Sequence, residues 1–291
     1  MIVAIIVILL ILLLIYLGKS GKLNIYKVMT RFSVFITFGS LFLIVGYVII
    51  KGLPHLKLSM FSLNYTSENV SMLPSIITTL IVVALSILIA APIGIFTAIY
   101  LVEYSKKNSK IVEVIRLATE TLQGIPSIVY GLFGMLFFVL RMGLKYSILS
   151  GVFTISIMIL PLIIRSTEEA LKSVSDNIRQ ASFALGAGKL RTIFRIVIPV
   201  AVPGIISGIV LATGRIVGET ACLIYTLGTA TSLPTSLNSS SRTLALHMYM
   251  LSTEGMHVGE AYATGTVLLL LVLLINYISN KLASKFAEVK S

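Results

Sequence analysis

The chain has 291 residues, 57% hydrophobic and only 12% charged, with a mean hydropathy of +1.01. A soluble core has no use for that much apolar surface, so the solvent is a bilayer. The single cysteine, Cys222, excludes an intrachain disulfide framework and any Cys-based zinc site; it reads as a small packed hydrophobe. His55, His247 and His257 lack metal-ligand spacing and read as loop residues, so no metal site is expected.

In chain order, seven apolar segments are long enough, or nearly so, to cross a membrane as helices: 1–17, 32–50, 75–102, 117–140, 146–164, 196–225 and 261–280. Segment 1–17 has no basic n-region and no A-x-A-like cleavage site after it, and is expected to be a retained helix. Lys and Arg set the orientation. Loops 18–31, 103–116 and 165–195 and the tail after 280 carry 4, 4, 6 and 3 of them, against 5 in the opposite loops. The basic set is therefore expected in the cytoplasm, together with the C-terminus. The net charge of +12 is on this view a topology signal, and no nucleic-acid partner is implied.

Loop 165–195 is the largest on the basic side. Asn177 followed by Gln180 predicts a capping-box-like start, and Ile178, Ala181 and Leu185 share one apolar helical face. Gly186-Ala187-Gly188 then interrupts the helix. A short bent amphipathic helix suits docking into a partner's groove, or lying on lipid headgroups; spacing leaves both open. The run Gly186 to Arg191 is not a Walker A loop, because Phe183 and Leu190 stand where that motif needs Gly and Ser/Thr. Without a nucleotide site or catalytic constellation, the chain is not expected to be an enzyme.

Arg215 and Glu219 fall inside the span that begins near Pro199. At ~1.5 Å per residue from Pro203, Arg215 is roughly 18 Å along, a little past the midplane. On a helical wheel Gly204, Gly208, Ala212, Arg215 and Glu219 share one face, so charge and small residues coincide. The pair fits a structural ion pair, a proton relay or an anion path. Pro92, Pro126, Pro161, Pro199 and Pro203 are expected to bend or break helices within or beside the membrane.

Gln180-Ala181-Ser182-Phe183-Ala184-Leu185-Gly186, followed nine residues later by Ile196-Val197-Ile198-Pro199, resembles the EAA loop of binding-protein-dependent ABC importer permeases. Gln180 replaces the usual Glu of that motif and Ile198 the usual Leu. Gln123 to Gly134, Gly214 to Ala221, Ser232-Leu233-Pro234 and Pro74 to Tyr104 are similar to the phosphate branch, PstA-type subunit. The resemblance covers roughly residues 25–285.

The resemblance implies an all-α polytopic fold: a six-helix type I ABC importer permease core plus an extra N-terminal transmembrane helix. The expected organisation is an accessory helix over 1–17, then a basic linker, transmembrane helix and external loop over 18–74. A permease core follows over 75–281 with its coupling loop at 165–195, and a cytoplasmic tail over 282–291. Implied partners are a homologous PstC-type permease, a PstB-type ATPase dimer, an external PstS-type phosphate-binding protein and membrane lipid. ATP and Mg belong to the ATPase, with no cofactor on this chain. The implied substrate-path residues are Arg215, Glu219 and Arg165; the ATPase-coupling residues are Gln180, Ala181, Ser182, Leu185 and Gly186. Phosphate import across a bacterial inner membrane is the function implied. Another oxyanion such as molybdate or sulfate is the alternative, and an ion-coupled secondary transporter is a further one.

Overall fold

The computed structural model describes residues 25–105 and 109–288, so the helix expected over 1–17 lies outside the described residues. Every regular element among them is helical. Two 3-10 turns, Leu53–His55 and Leu58–Phe61, follow the first helix, so His55 closes a helical turn. In chain order the α-helices are α1 (Ile25–Gly52), α2 (Leu73–Ile99), α3 (Lys110–Gly124), α4 (Ser127–Gly134), α5 (Ile148–Lys172) and α6 (Asp176–Ala184). Then follow α7 (Lys189–Thr192), α8 (Ile198–Val217), α9 (Ala221–Ile224), α10 (Leu244–Glu254) and α11 (Val258–Glu288). π-Helical turns extend α2 over Tyr100–Tyr104 and α4 over Met135–Arg141, and another joins α7 to α8 over Ile193–Val197.

Five helical runs are long and apolar enough to span a bilayer: Tyr26–His55, Leu73–Tyr104, Ile148–Lys172, Lys189–Val217 and Val258–Lys281. The sixth candidate is a bent pair, Lys110–Gly124 with Ser127–Arg141, turning through 102°. The segment expected as one span over 117–140 is therefore broken. Pro126 has no N–H to give a helix and drives Ile125 to extended backbone, ψ 130°. Tyr130 closes the corner by donating to the Leu122 carbonyl at 2.8 Å, and the Gln123 amide donates to the Pro161 carbonyl of α5 at 3.1 Å. Polar groups freed by the break are thus satisfied within the protein.

The bundle centre is α2, α5 and α8, whose facing surfaces form the largest apolar clusters. Small residues bring these helices together. A Cβ on Gly94 would lie 2.7 Å from Ile163 Cγ2, and one on Gly204 2.7 Å from Ala170 Cβ. A Cβ on Gly208 would run into the Ser166 hydroxyl. Gly208 and Ala212 are buried, so much of the small-residue face of α8 is its packing face. Ile205, Ile216 and Val217 on the apolar side are buried as well, and face protein rather than lipid. α1 stands at the edge against α11, where Thr266 Oγ1 donates to the Val48 carbonyl at 3.2 Å.

Two further expectations change. The span placed over 196–225 ends at Val217, with Gly218, Glu219 and Thr220 beyond the helix. The loop over 226–260 contains a helix, α10, and His247 is a fully buried member of it, not a loop residue. Hydroxyls lock that region to α2. Thr79 Oγ1 accepts from the Leu244 amide at 2.9 Å, and Thr78 and Ser241 hydroxyls lie 2.7 Å apart.

Candidate functional site

Arg215 is on the last turn of α8 and is exposed. Among the described residues it has no carboxylate partner. Its side chain opens onto a cleft of about 580 Å³ lined also by Leu162, Ser207, Gly214, Asn276 and Asn280. The cleft lies between α8, α5 and α11, and a cation there faces a low-dielectric wall on one side and open space on the other. Such an arrangement attracts an anion.

Glu219 does not share this cleft. Because Gly218 ends the helix, the i, i+4 register expected for Arg215 and Glu219 is lost after Val217. Glu219 turns inward, is buried, and accepts the Cys222 amide at 3.0 Å, so its carboxylate caps α9 instead of pairing with Arg215. Of the three readings open for the pair, the direct ion pair is not formed: the two groups sit on neighbouring turns in different surroundings. Cys222 is fully buried within the main apolar cluster, in keeping with a packed hydrophobe.

Arg165 is on α5 with its guanidinium engaged on two sides. Nη1 lies 2.9 Å from Glu120 Oε1 of α3, and Nε lies 3.1 Å from Glu169 Oε1 one turn on. Beside it Glu168, with a side chain 3% exposed, lies 2.8 Å from Arg116 Nη2 and 2.6 Å from Lys172 Nζ. These contacts clamp α3 to the basic end of α5. The i, i+4 pairs Arg165–Glu169 and Glu168–Lys172 are visible in the sequence. The α3 partners are brought there by the 102° corner, which spacing does not reveal.

The expected coupling segment forms α6. Its N-cap is Ser175, whose side chain accepts the Asn177 amide, two residues ahead of the predicted start at Asn177. Ser182 is buried and its hydroxyl lies 2.8 Å from that of Thr192, which folds α6 back on α7. Gln180 and Ala181 are exposed, and Leu185 is 89% exposed just past the helix end. Gly186 supplies the reversal at φ +79°, with open space around its Cα. Ser182 thus holds the loop together, while Gln180, Ala181, Leu185 and Gly186 face outward with Ile178 and Phe183. An apolar surface at the basic end, away from the spans, is the form of a docking site.

The fold and these surfaces define a multi-pass helical membrane permease with an outward-facing helix at its basic end. The chain belongs to the family of binding-protein-dependent transport system inner membrane components, which it matches over residues 90–287. It is thus the membrane-spanning, non-enzymatic part of such a system.

The chain is 32% identical over 249 residues to the probable ABC transporter permease protein YqgI of Bacillus subtilis, covering 79% of this chain and 84% of that protein. It is 33% identical over 234 residues to the phosphate transport system permease protein PstA of Pasteurella multocida, covering 79% and 82%. Against PstA 1 of Mycobacterium tuberculosis it is 35% identical over 195 residues, 67% of this chain and 64% of that protein. A chain of the bacterial alginate ABC transporter in complex with its alginate-bound periplasmic protein superposes with a TM-score of 0.65 at 16% identity, covering 91% and 97%. A chain of the inward-facing MetNI methionine ABC transporter gives 0.58 at 17%, covering 74% and 94%. At such identities the likeness is one of fold, the type I importer permease.

Proposed function

We propose that this chain is the permease of an ATP-driven phosphate importer and that Arg215 receives the anion within the membrane. The observation that carries this reading is Arg215 itself, a membrane-embedded guanidinium that has no carboxylate partner among the described residues and opens onto a cleft. Several relatives are phosphate transport system permeases by name, and a guanidinium fork matches phosphate oxygens bidentately. Arg165 serves the anion at the basic end only after leaving Glu120 and Glu169, so it acts late in the passage. Glu219 supports the path indirectly, by fixing the chain reversal that follows Arg215.

Coupling runs through α6. Gln180, Ala181, Leu185 and Gly186 dock in the groove of an ATPase, whose ATP and Mg drive the cycle, while Ser182 keeps the loop folded. A homologous permease completes the path and an external binding protein delivers phosphate. The excess of Lys and Arg in loops 18–31, 103–116 and 165–195 orients α6 and the C-terminus toward the cytoplasm.

Uptake of labelled phosphate by the reconstituted complex, competed with sulfate and with molybdate, tests the substrate. Competition by unlabelled phosphate alone is the expected result, and equal competition by sulfate or molybdate contradicts it. Gly186→Arg tests the coupling surface. Loss of ATPase co-purification with normal membrane insertion is expected, and normal co-purification contradicts it.

A further inference from the structure

The cleft at Arg215 continues along α8 and α11 toward the basic end, and its polar lining there is neutral. Ser207 lies eight residues before Arg215 on α8, about 12 Å along the axis. Asn276 and Asn280 line the cleft from α11, one turn or about 6 Å apart. Side chains on a helix lean toward its N-terminus, so Arg215 leans down α8 in the direction of Ser207. The arginine and the two amides thus follow one another along a single groove.

An asparagine inside an apolar span is costly unless its amide is satisfied. Asn276 is half-buried within the span Val258–Lys281 and Asn280 is exposed at its basic end, and among the described residues neither amide has a hydrogen-bond partner. Ser207 differs, because its hydroxyl already donates to the Pro203 carbonyl at 2.9 Å. The amide N–H groups of Asn276 and Asn280 are therefore the donors left for a ligand in the groove. Leu162, Val210 and Leu211 supply its apolar walls.

We infer that Asn276 and Asn280 form the release track for the oxyanion that Arg215 receives, handing it toward the basic end through neutral donors. The inference rests on the phosphate-path reading above. Neutral donors suit this task on energetic grounds. A second cation at the same depth would deepen the well and slow release, whereas an amide–anion bond is weaker and the amide can rotate its oxygen away.

The test uses the full complex in proteoliposomes, with inorganic phosphate as probe and ATP on the ATPase side. Asn276→Leu and Asn280→Leu are each expected to lower the maximal uptake rate about fivefold, the loss of one hydrogen bond, with little change in the half-saturating phosphate concentration. Asn276→Gln, which keeps the donor, is expected to restore most of the rate. Co-purification of the complex separates this role from helix packing. If the leucine variants lose their partner permease, the amides hold helices together and the inference is overturned. Wild-type rates in both leucine variants also overturn it. Arg215→Gln keeps the two levels apart. If that variant loses uptake while the asparagine variants do not, only the release track fails. If Arg215→Gln transports normally, the path reading fails with it.

Discussion

Arg179 and Glu103, 76 residues apart, bond at the basic end: the Arg179 Nη2 and Nε lie 2.8 and 3.1 Å from one carboxylate oxygen, Glu103 Oε1. The same guanidinium donates to the Val174 and Leu171 carbonyls at 2.6 and 2.9 Å. Both side chains are largely buried, 13% and 9% exposed. One residue of α6 therefore fastens the outward-facing helix to the end of α2 and the end of α5 together. One side chain thus ties α6 to two of the three central helices.

Arg179→Leu is expected to leave Glu103 buried and unpaired, at a cost of about 3 kcal/mol. ATP-driven uptake should fall while α6 keeps its exposed residues. Replacing both, Arg179→Leu with Glu103→Leu, removes the stranded charge and should recover stability but not coupling. Thermal stability and uptake, measured side by side on the purified complex, check the split.

The second expectation concerns close packing. A Cβ at Gly208 meets Ser166, whereas one at Gly39 on α1 meets nothing within 4 Å. Gly208→Val should destabilise the detergent-purified protein by about 1–3 kcal/mol through overpacking. Gly39→Ala should be neutral or slightly stabilising, by up to about 1 kcal/mol, since Ala favours a helix over Gly. Melting curves of the two variants against the parent decide it.

Much of this architecture is legible in the sequence. Apolar runs mark the spans and the GAG stretch marks the end of α6, whereas Pro92, Pro161 and Pro203 lie inside helices that continue through them and Pro126 breaks one. The direct contact that i, i+4 spacing allows Arg215 and Glu219 is not formed, because periodicity assumes one continuous helix and Gly218 ends it early. The corner at Pro126 is signalled by proline, but its 102° angle depends on where Gln123 and Tyr130 find acceptors. Long-range pairs such as Arg179–Glu103 and Arg165–Glu120 have no local signature. Asn276 and Asn280 do carry one, an i, i+4 amide pair in an otherwise apolar span, and their cleft becomes apparent only when α8 lies beside them.

A third expectation is set by His247 on α10, outside the five long spans. Burial first, and the Arg242 charge second, push its imidazole from 6.5 down to about 3. The neutral form is thus native, and unfolding exposes a ring that protonates. Stability is full above pH 6.5 and is lost as pH falls from there toward 3, by up to ~1.4 kcal/mol per pH unit. His247→Phe, stacked edge-on against Tyr65 as the imidazole is at 6.1 Å, should flatten that part of the pH–stability curve. A slope unchanged in the variant assigns the acid lability to other groups.

The central claim is that a guanidinium within the membrane receives phosphate, and Arg215→Gln measures it most directly. The complete complex carrying that substitution is purified, its subunit ratio checked, and ATP-driven uptake of labelled phosphate followed in proteoliposomes. The expected result is an assembled complex with uptake lowered at least about 100-fold, the loss of a charge-assisted bidentate contact. Uptake at the parental rate by the assembled variant would contradict the account and leave Arg215 with a structural role.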